Sequence, residues 1–230
     1  MNSNEMLEND PLDVDFWNSA IEAAPQDPAP LTEKEKNAEM AALELECRRE
    51  KQRRAVGPRT GWPGKYLEAI QSPPRGDEWL EAFEAAKRTV KNRGILVLYG
   101  KRGAGKTRMG AELAGIVGRS QYRTAMRFFL EVRATFCKTA EKTEVEVIDE
   151  LTTADLLILD EIQERGSTPF EDRLLTHVID ARYARQLPTI LIANLTKKEL
   201  AASLGDSIVD RTRENGKSIE FNWPSYRVQL

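Results

Sequence analysis

Eight consecutive residues, 100–107, combine three glycines with a lysine and a threonine at the spacing G-x-x-x-x-G-K-T. Glycine has no Cβ, so main-chain N–H groups in such a loop can surround an anion, and a helix that begins after the loop adds positive potential. Lys106 can supply a charge to the β- and γ-phosphates, and Thr107 can offer a hydroxyl to Mg²⁺. The spacing therefore predicts a binding loop for nucleotide phosphates. Its predicted members are Gly100, Lys101, Arg102, Gly103, Ala104, Gly105, Lys106 and Thr107.

Two acidic residues, Asp160 and Glu161, directly follow the apolar run 156–159. Such a run is typical of a strand buried on both faces, and ligands bind at the carboxyl ends of parallel strands. We expect Asp160, together with Thr107, to bind Mg²⁺, and Glu161 to act as the general base for an attacking water. A base at this place favours hydrolysis over phosphoryl transfer. The alternative is that the two acids only end a strand.

The elements that position these residues alternate between strands and helices. Residues 95–99 form a predicted buried strand, residues 107–117 form the helix after the loop, and residues 77–91 form an amphipathic helix ahead of them. The other predicted strands are residues 124–129, 156–159, 189–193 and 218–221, and the other predicted helices are residues 130–139, 144–152, 170–185, 197–203 and 206–213. This alternation predicts an α/β fold with a largely parallel sheet covered by helices on both faces.

The N-terminal quarter of the chain differs from the rest in composition. Residues 1–33 contain eight acidic side chains and no Lys or Arg, while the whole chain has a net charge of −3. We expect residues 1–60 to be an acidic flexible tail and a basic helix (residues 34–54) that form a candidate partner-binding extension, and residues 61–230 to be the folded domain. Residues 14–24 are either a short docking helix or part of a solvated tail. The basic residues 48–54 either contact nucleic-acid phosphates or are solvated, and residues 57–74 are a predicted linker.

The composition also excludes several classes of protein. Cys47 and Cys137 are too few for a disulfide framework, and no Cys or His cluster has zinc-ligand spacing. No apolar run has the length of a membrane span, and the acidic N-terminus does not resemble a signal peptide. We therefore expect a cytoplasmic protein that does not contact membranes.

Four segments resemble the DnaC/IstB-like AAA+ ATPases, a family that includes helicase loaders and transposition helper ATPases. The resemblance covers residues 61–227 and is closest to the DnaC-type loaders. It depends on residues 100–107, on LLILDE (156–161), on DARY (180–183) leading to TILIANL (189–195), and on FNWPSYR (221–227). It implies a P-loop NTPase of the AAA+ ASCE type that binds ATP and Mg²⁺, with no separate C-terminal lid domain and with a partly disordered helical N-terminal extension.

The same resemblance implies roles for residues outside the loop. Asn194 corresponds to a sensor of the γ-phosphate, Arg211 to an arginine finger that acts in a neighbouring subunit, and Arg227 to a second sensor. Because Ser207 stands where such loaders often have Arg, Arg213 is a second candidate for the finger. Alternatively, these arginines only pair with acids of their own helix.

The family also carries a single-stranded DNA contact in the segment that matches residues 127–142. Cations and aromatic rings together hold single-stranded DNA, and of the cations here we expect Arg133 and Lys138 to touch it. The resemblance implies a self-associating ATPase that places a replicative hexameric helicase on single-stranded DNA. The alternatives are an IstB-like transposition helper and an ATP-controlled adaptor with little turnover.

Overall fold

A computed structural model of the chain describes residues 32–56, 60–66 and 76–226. The expectations for residues 1–31 and for Arg227 lie outside these residues. By its packing the chain divides after Leu43, and the second unit, Glu44–Leu230, contains the sheet. A helix, α1 (Glu33–Ala55), crosses this division.

Five parallel strands form a single sheet in the order β2-β3-β4-β1-β5. The strands are β1 (Ile95–Gly100), β2 (Ser120–Thr124), β3 (Leu156–Asp160), β4 (Thr189–Ile192) and β5 (Gly216–Phe221). The helices that follow α1 are α2 (Asp77–Lys91), α3 (Lys106–Val117), α4 (Ala125–Ala134), α5 (Glu144–Thr153), α6 (Pro169–Ala184), α7 (Lys197–Leu204) and α8 (Asp206–Glu214). The predicted α/β fold is confirmed, and among the described residues only 222–226 follow β5.

The alternation of side chains along the strands divides the core into two layers. In β1, Leu96 and Leu98 pack with residues of α2 and α3 on one face, while Ile95 and Val97 pack with residues of α4, α5 and α6 on the other. Because both faces are covered by helices, the inner strands are apolar at almost every position. This explains why continuous apolar runs in the sequence mark β1, β3 and β4.

One predicted strand, residues 124–129, is wrong. The strand β2 ends at Thr124, and the Thr124 side chain accepts a hydrogen bond from the Arg127 main chain at 3.2 Å, which caps the N-terminus of α4. Ala125, Phe128, Phe129 and Val132 are buried at helical spacing against the same core layer. The helix therefore begins at Ala125, five residues before the predicted start at residue 130. Phe128 and Phe129 belong to this helix and not to a strand, because a helix can bury two adjacent phenylalanines on one face.

Part of the predicted linker belongs to the core. Trp62 is 3% exposed, its indole N–H donates to Ser120 Oγ at 3.2 Å, and its ring stacks on Tyr122. Val56 is fully buried in the same layer. The core thus begins N-terminal to the predicted boundary at residue 61.

A buried arginine joins the helix α6 to the end of α5 and to the start of β4. Arg182 of α6 is fully buried and donates to the carbonyl oxygens of Ala154 at 2.9 Å, Pro188 at 2.7 Å and Leu151 at 2.5 Å, and to Thr189 Oγ1 at 2.9 Å. Burial lowers the pKa of Arg182 to about 9, so the guanidinium stays charged at neutral pH. It satisfies acceptors at the end of α5 and the start of β4 that would otherwise be buried without donors.

Arg182→Met should lower the free energy of unfolding by about 3 kcal/mol or more, because it leaves several buried acceptors without partners. Urea denaturation measures this change. Arg173→Met, on the exposed side of the same helix, is the matched control and should leave the stability unchanged. Equal stability of the two variants would contradict the role given to Arg182.

Candidate nucleotide site

The loop between β1 and α3 depends on its three glycines. Gly100, Gly103 and Gly105 have φ angles of 113°, 78° and 93°, a region that glycine adopts without strain. A Cβ on Gly100 would lie 2.5 Å from the Phe221 carbonyl oxygen, and one on Gly105 would lie 3.1 Å from Trp79 Nε1. The helix α3 begins directly after Gly105, so its first N–H groups have no partner within the helix. The loop therefore has the backbone that the motif predicts.

Lys106 lies at the base of the loop with 4% of its surface exposed. Its ammonium group donates to the carbonyl oxygens of Gly100 at 2.9 Å and Lys101 at 2.7 Å. These contacts hold the charge beside the loop rather than in solvent. An anion in the loop would thus meet a cation already in position.

Three donors surround the carboxylate of Asp160 at the end of β3. Thr107 Oγ1 donates to Asp160 Oδ2 at 2.7 Å, and the Tyr122 hydroxyl donates to the same oxygen at 3.1 Å. The main-chain N–H of Glu161 donates to Oδ1 at 2.7 Å. Burial raises the pKa of Asp160, and these hydrogen bonds partly offset that rise by favouring the carboxylate. Burial beside Asp160 also raises the pKa of Tyr122.

The oxygens of Thr107 and Asp160 fit a magnesium site. Mg²⁺ prefers hydroxyl, carboxylate and water oxygens over nitrogen or sulfur ligands. The two side chains come from different elements, and their oxygens meet at 2.7 Å at the edge of the cavity that the loop lines. Asp160 is 4% exposed, and a cation beside it would stabilise a carboxylate that burial otherwise disfavours.

Glu161 has a left-handed backbone, with φ 55° and ψ 45°. For a residue other than glycine this conformation costs about 1–2 kcal/mol. The conformation turns the chain sharply from β3 into a short 3-10 helix (Ile162–Glu164). Burial raises the pKa of Glu161, and the neighbouring carboxylates of Asp160 and Glu164 raise it further. Its side chain lines the same cavity as Lys106.

Asn194 follows β4 and lies at the same edge of the sheet. Its main-chain N–H donates to Gln163 Oε1 at 3.0 Å, which connects it to the turn after Glu161. Asn194 lines a cavity of about 560 Å³. The predicted residues that line this cavity are Arg102, Gly103, Gly105, Lys106, Thr107, Asp160, Glu161 and Asn194.

Sequence reasoning missed several residues that line the cavity. Tyr122 from β2, Tyr66 from the predicted linker and Tyr226 from the segment after β5 all contribute to it. Tyr122 lies 38 positions before Asp160 in the chain. No local motif marks Tyr66 or Tyr122, because only the fold brings them to the loop. Tyr226 belongs to FNWPSYR (221–227), but the resemblance implied a role only for Arg227 in that segment.

The candidate finger arginines are not among the described residues that line the cavity. Arg211 forms an ion pair with Asp180 at 3.0 Å, donates to the Ser207 carbonyl oxygen at 3.0 Å and lies 5.7 Å from the centre of the Tyr183 ring. Arg213 pairs with Asp210 at 3.1 Å. Arg211 thus joins α8 to α6, whereas Arg213 pairs within α8.

The two predicted DNA-binding residues lie at and after the end of α4. Arg133 is half-exposed and pairs at 2.7 Å with Glu171, whose side chain is buried. Glu171 also caps α6, since its main chain and side chain both bond to Thr168. Lys138 is exposed. Neither residue lines the nucleotide cavity as the described residues form it.

Three kinds of feature are absent from the described residues: membrane-spanning helices, clusters of metal ligands and disulfides. Within residues 32–56, 60–66 and 76–226, no helix is long and apolar enough to cross a membrane. The same residues contain no group of three or more His, Cys, Asp or Glu side chains placed to hold a metal ion. Cys47 and Cys137 are free and exposed.

Comparison with known proteins gives sequence relatives that are named replicative helicase loaders. The chain is 28% identical over 152 residues to the replicative helicase loader DnaC of Buchnera aphidicola subsp. Baizongia pistaciae, which covers 64% of this chain and 62% of that protein. It is 26% identical over 157 residues to the replicative helicase loader DnaC of Escherichia coli strain K12, covering 66% of this chain and 62% of that one. The chain therefore spans less than two thirds of the length of these relatives.

Solved structures share the fold. The crystal structure of the DnaC helicase loader superposes with a TM-score of 0.57 at 18% identity, over 70% of this chain and 100% of that one. In addition, the family of IstB-like ATP binding proteins matches residues 83–230, more than half of the sequence. The chain belongs to this family, and it carries the G-x-x-x-x-G-K-T loop and the five-stranded parallel sheet described above.

Proposed function

We propose that this chain is an ATP-dependent loader that places a replicative hexameric helicase on single-stranded DNA in the cytoplasm. The observation that carries the proposal is the meeting of Lys106, Thr107, Asp160 and Glu161 at one cavity. Two sequence relatives are named replicative helicase loaders. The chain spans only 62% of the length of these relatives. The helicase partner and the loading step are therefore proposed for this chain by analogy with them.

Each polar side chain at the cavity has a separate part in the proposed hydrolysis. Loop N–H groups and Lys106 bind the phosphates. Thr107 and Asp160 would hold Mg²⁺, which would supply positive charge to the phosphate oxygens. Glu161 accepts a proton from the attacking water, and Asn194 orients that water. Burial and the neighbouring carboxylates raise the pKa of Glu161, and a raised pKa favours its uptake of a proton.

We place the DNA contact at Arg133 and Lys138. Both side chains are exposed and lie close in sequence at the end of α4, where they can meet neighbouring phosphates. Arg133 already pairs with the buried Glu171, so a DNA phosphate would share or replace that partner. We assign helicase binding to the N-terminal extension, residues 1–60, of which Val56 is already buried in the core of the ATPase domain.

Two rival functions remain testable. The family match carries the IstB name, which favours a transposition helper that acts with a transposase on duplex DNA. An ATP-controlled adaptor with little turnover is the other rival, and Glu161 argues against it. The strained backbone of Glu161 places a carboxylate at the cavity, which an adaptor would not require.

ATP turnover measured with and without single-stranded DNA and a hexameric replicative helicase tests the proposal. We expect the two additions together to stimulate hydrolysis and the helicase to co-purify with the chain. Stimulation by duplex DNA and a transposase would support the IstB-like rival. Binding of ATP without turnover under all these conditions would support the adaptor.

Glu161→Gln should bind Mg-ATP with wild-type affinity but hydrolyse it at least about 100-fold more slowly, because the base is lost while Thr107 and Asp160 remain. Glu164→Gln, which changes a carboxylate on the same cavity wall, is the matched control and should keep most of the activity. Calorimetry measures binding, and phosphate release measures turnover. Wild-type turnover by Glu161→Gln would reject its role as the base.

Arg211→Ala should bind ATP normally yet lose on the order of 10³-fold in partner-stimulated hydrolysis, if the arginine acts on the γ-phosphate of a neighbouring subunit. The same substitution at Arg213, which lies two residues further along α8, is the matched control. If Arg213→Ala loses activity and Arg211→Ala does not, the finger is Arg213.

Mixing Arg211→Ala with Lys106→Ala protein separates action between subunits from action within one. One type of interface in the mixture joins an intact loop to an intact Arg211, so part of the stimulated turnover should return. Co-assembly without any recovery would contradict the trans role.

A further inference from the structure

Phe221, the last residue of β5, and residues 222–226 after it pack against the phosphate-binding loop; we call residues 221–226 the closing segment. Phe221 is fully buried, Trp223 is 7% exposed, and their ring centres are 4.5 Å apart. The Phe221 carbonyl oxygen accepts from the Lys101 main chain at 2.9 Å. The Asn222 carbonyl oxygen accepts from Lys101 Nζ at 2.6 Å. The closing segment is thus attached to the first residues of the loop.

Two further hydrogen bonds reach the middle of the loop. The main-chain N–H of Tyr226 donates to the Gly103 carbonyl oxygen at 3.0 Å. The indole N–H of Trp223 donates to the Ala104 carbonyl oxygen at 3.0 Å, and this bond is buried. Two consecutive carbonyl oxygens of the loop therefore accept hydrogen bonds from the closing segment.

These two bonds fix the orientation of loop N–H groups. In a planar trans peptide, the carbonyl of one residue and the N–H of the next point in opposite directions. A donor that holds the Gly103 carbonyl therefore sets the direction of the Ala104 N–H, and a donor that holds the Ala104 carbonyl sets that of the Gly105 N–H. An anion site requires N–H groups, not carbonyl oxygens, to face the ligand.

We propose that Trp223 and Tyr226 are positioning residues of the nucleotide site, which hold the N–H groups of Ala104 and Gly105 toward the phosphates. The inference depends on nucleotide binding at the loop and adds a determinant that lies over 100 residues away in the sequence. Because the Trp223 bond is buried, water cannot readily replace the lost donor. Tyr226 also lines the cavity with its side chain.

Trp223→Phe tests the inference, since phenylalanine keeps an aromatic ring beside Phe221 but removes the donor to Ala104. We expect about 3- to 10-fold weaker binding of Mg-ATP, the scale of one hydrogen bond, in calorimetry on the folded full-length chain. Inorganic tripolyphosphate should show the same loss, because the loop reads phosphates rather than the base.

Trp62→Phe is the matched control. Trp62 is buried in the same core layer, and its indole N–H donates to Ser120, not to the loop. The Trp62→Phe variant should be less stable than the wild type but should bind Mg-ATP with wild-type affinity. Wild-type affinity in Trp223→Phe, or an equal loss in Trp62→Phe, would overturn the inference.

A second pair of variants tests the Tyr226 contact without changing a buried tryptophan. Tyr226→Ala removes the ring and keeps the main-chain N–H, whereas Tyr226→Pro removes both. The proline variant should bind Mg-ATP several-fold more weakly than the alanine variant, and equal affinities would contradict the role of the N–H. Failure of the wild-type chain to bind Mg-ATP would instead reject the proposed function, and this inference with it.

Discussion

The hydrogen bond from Thr107 to Asp160 is the contact on which the arrangement of the site depends, because it joins the loop after β1 to the end of β3. The strand β4 lies between these two strands, so the contact reaches across the end of one intervening strand. The parallel order places Asn194, after β4, at the same edge. Phosphate binding, the candidate cation site and the candidate base thus depend on one topology.

The loop is also held by contacts with α2 and with the closing segment. Trp79 of α2 lies against Gly105, and the closing segment bonds to Lys101, Gly103 and Ala104. A glycine-rich loop has many accessible conformations in isolation, and ordering it on binding would weaken affinity. Packing against α2 and the closing segment orders the loop during folding, so its conformational entropy is not lost when the ligand binds.

The sequence predicts those parts of the fold that depend on local patterns. The phosphate-binding loop follows from its glycine spacing, and α2 matches its predicted bounds at both ends because its apolar residues recur at helical spacing. The start of α4 was missed, because the adjacent Phe128 and Phe129 extend the apolar run that follows β2. Distinguishing a strand from a helix there requires knowing that Thr124 caps the turn.

Residues that act through long-range contacts could not be found in this way. Tyr122 and Trp62 lie outside any motif, and their roles appear only once the sheet brings them to Asp160 and Ser120. Trp223 lies in FNWPSYR (221–227), which carries the family resemblance, but its contact with Ala104 appears only in the fold. Arg182 is similar: its position in a helix suggests a solvent-exposed residue, but its four acceptors come from two separate parts of the chain, the end of α5 and the start of β4.

A crystal structure of the chain with ADP and Mg²⁺ tests the central claim most directly. We predict the β-phosphate within hydrogen-bond distance of the loop N–H groups and of Lys106, with the cation bound at Thr107 and Asp160. Their direct hydrogen bond would then be replaced by ligation, while the Trp223 contact with Ala104 would persist. A nucleotide bound elsewhere, or a cation that contacts neither Thr107 nor Asp160, would contradict the account.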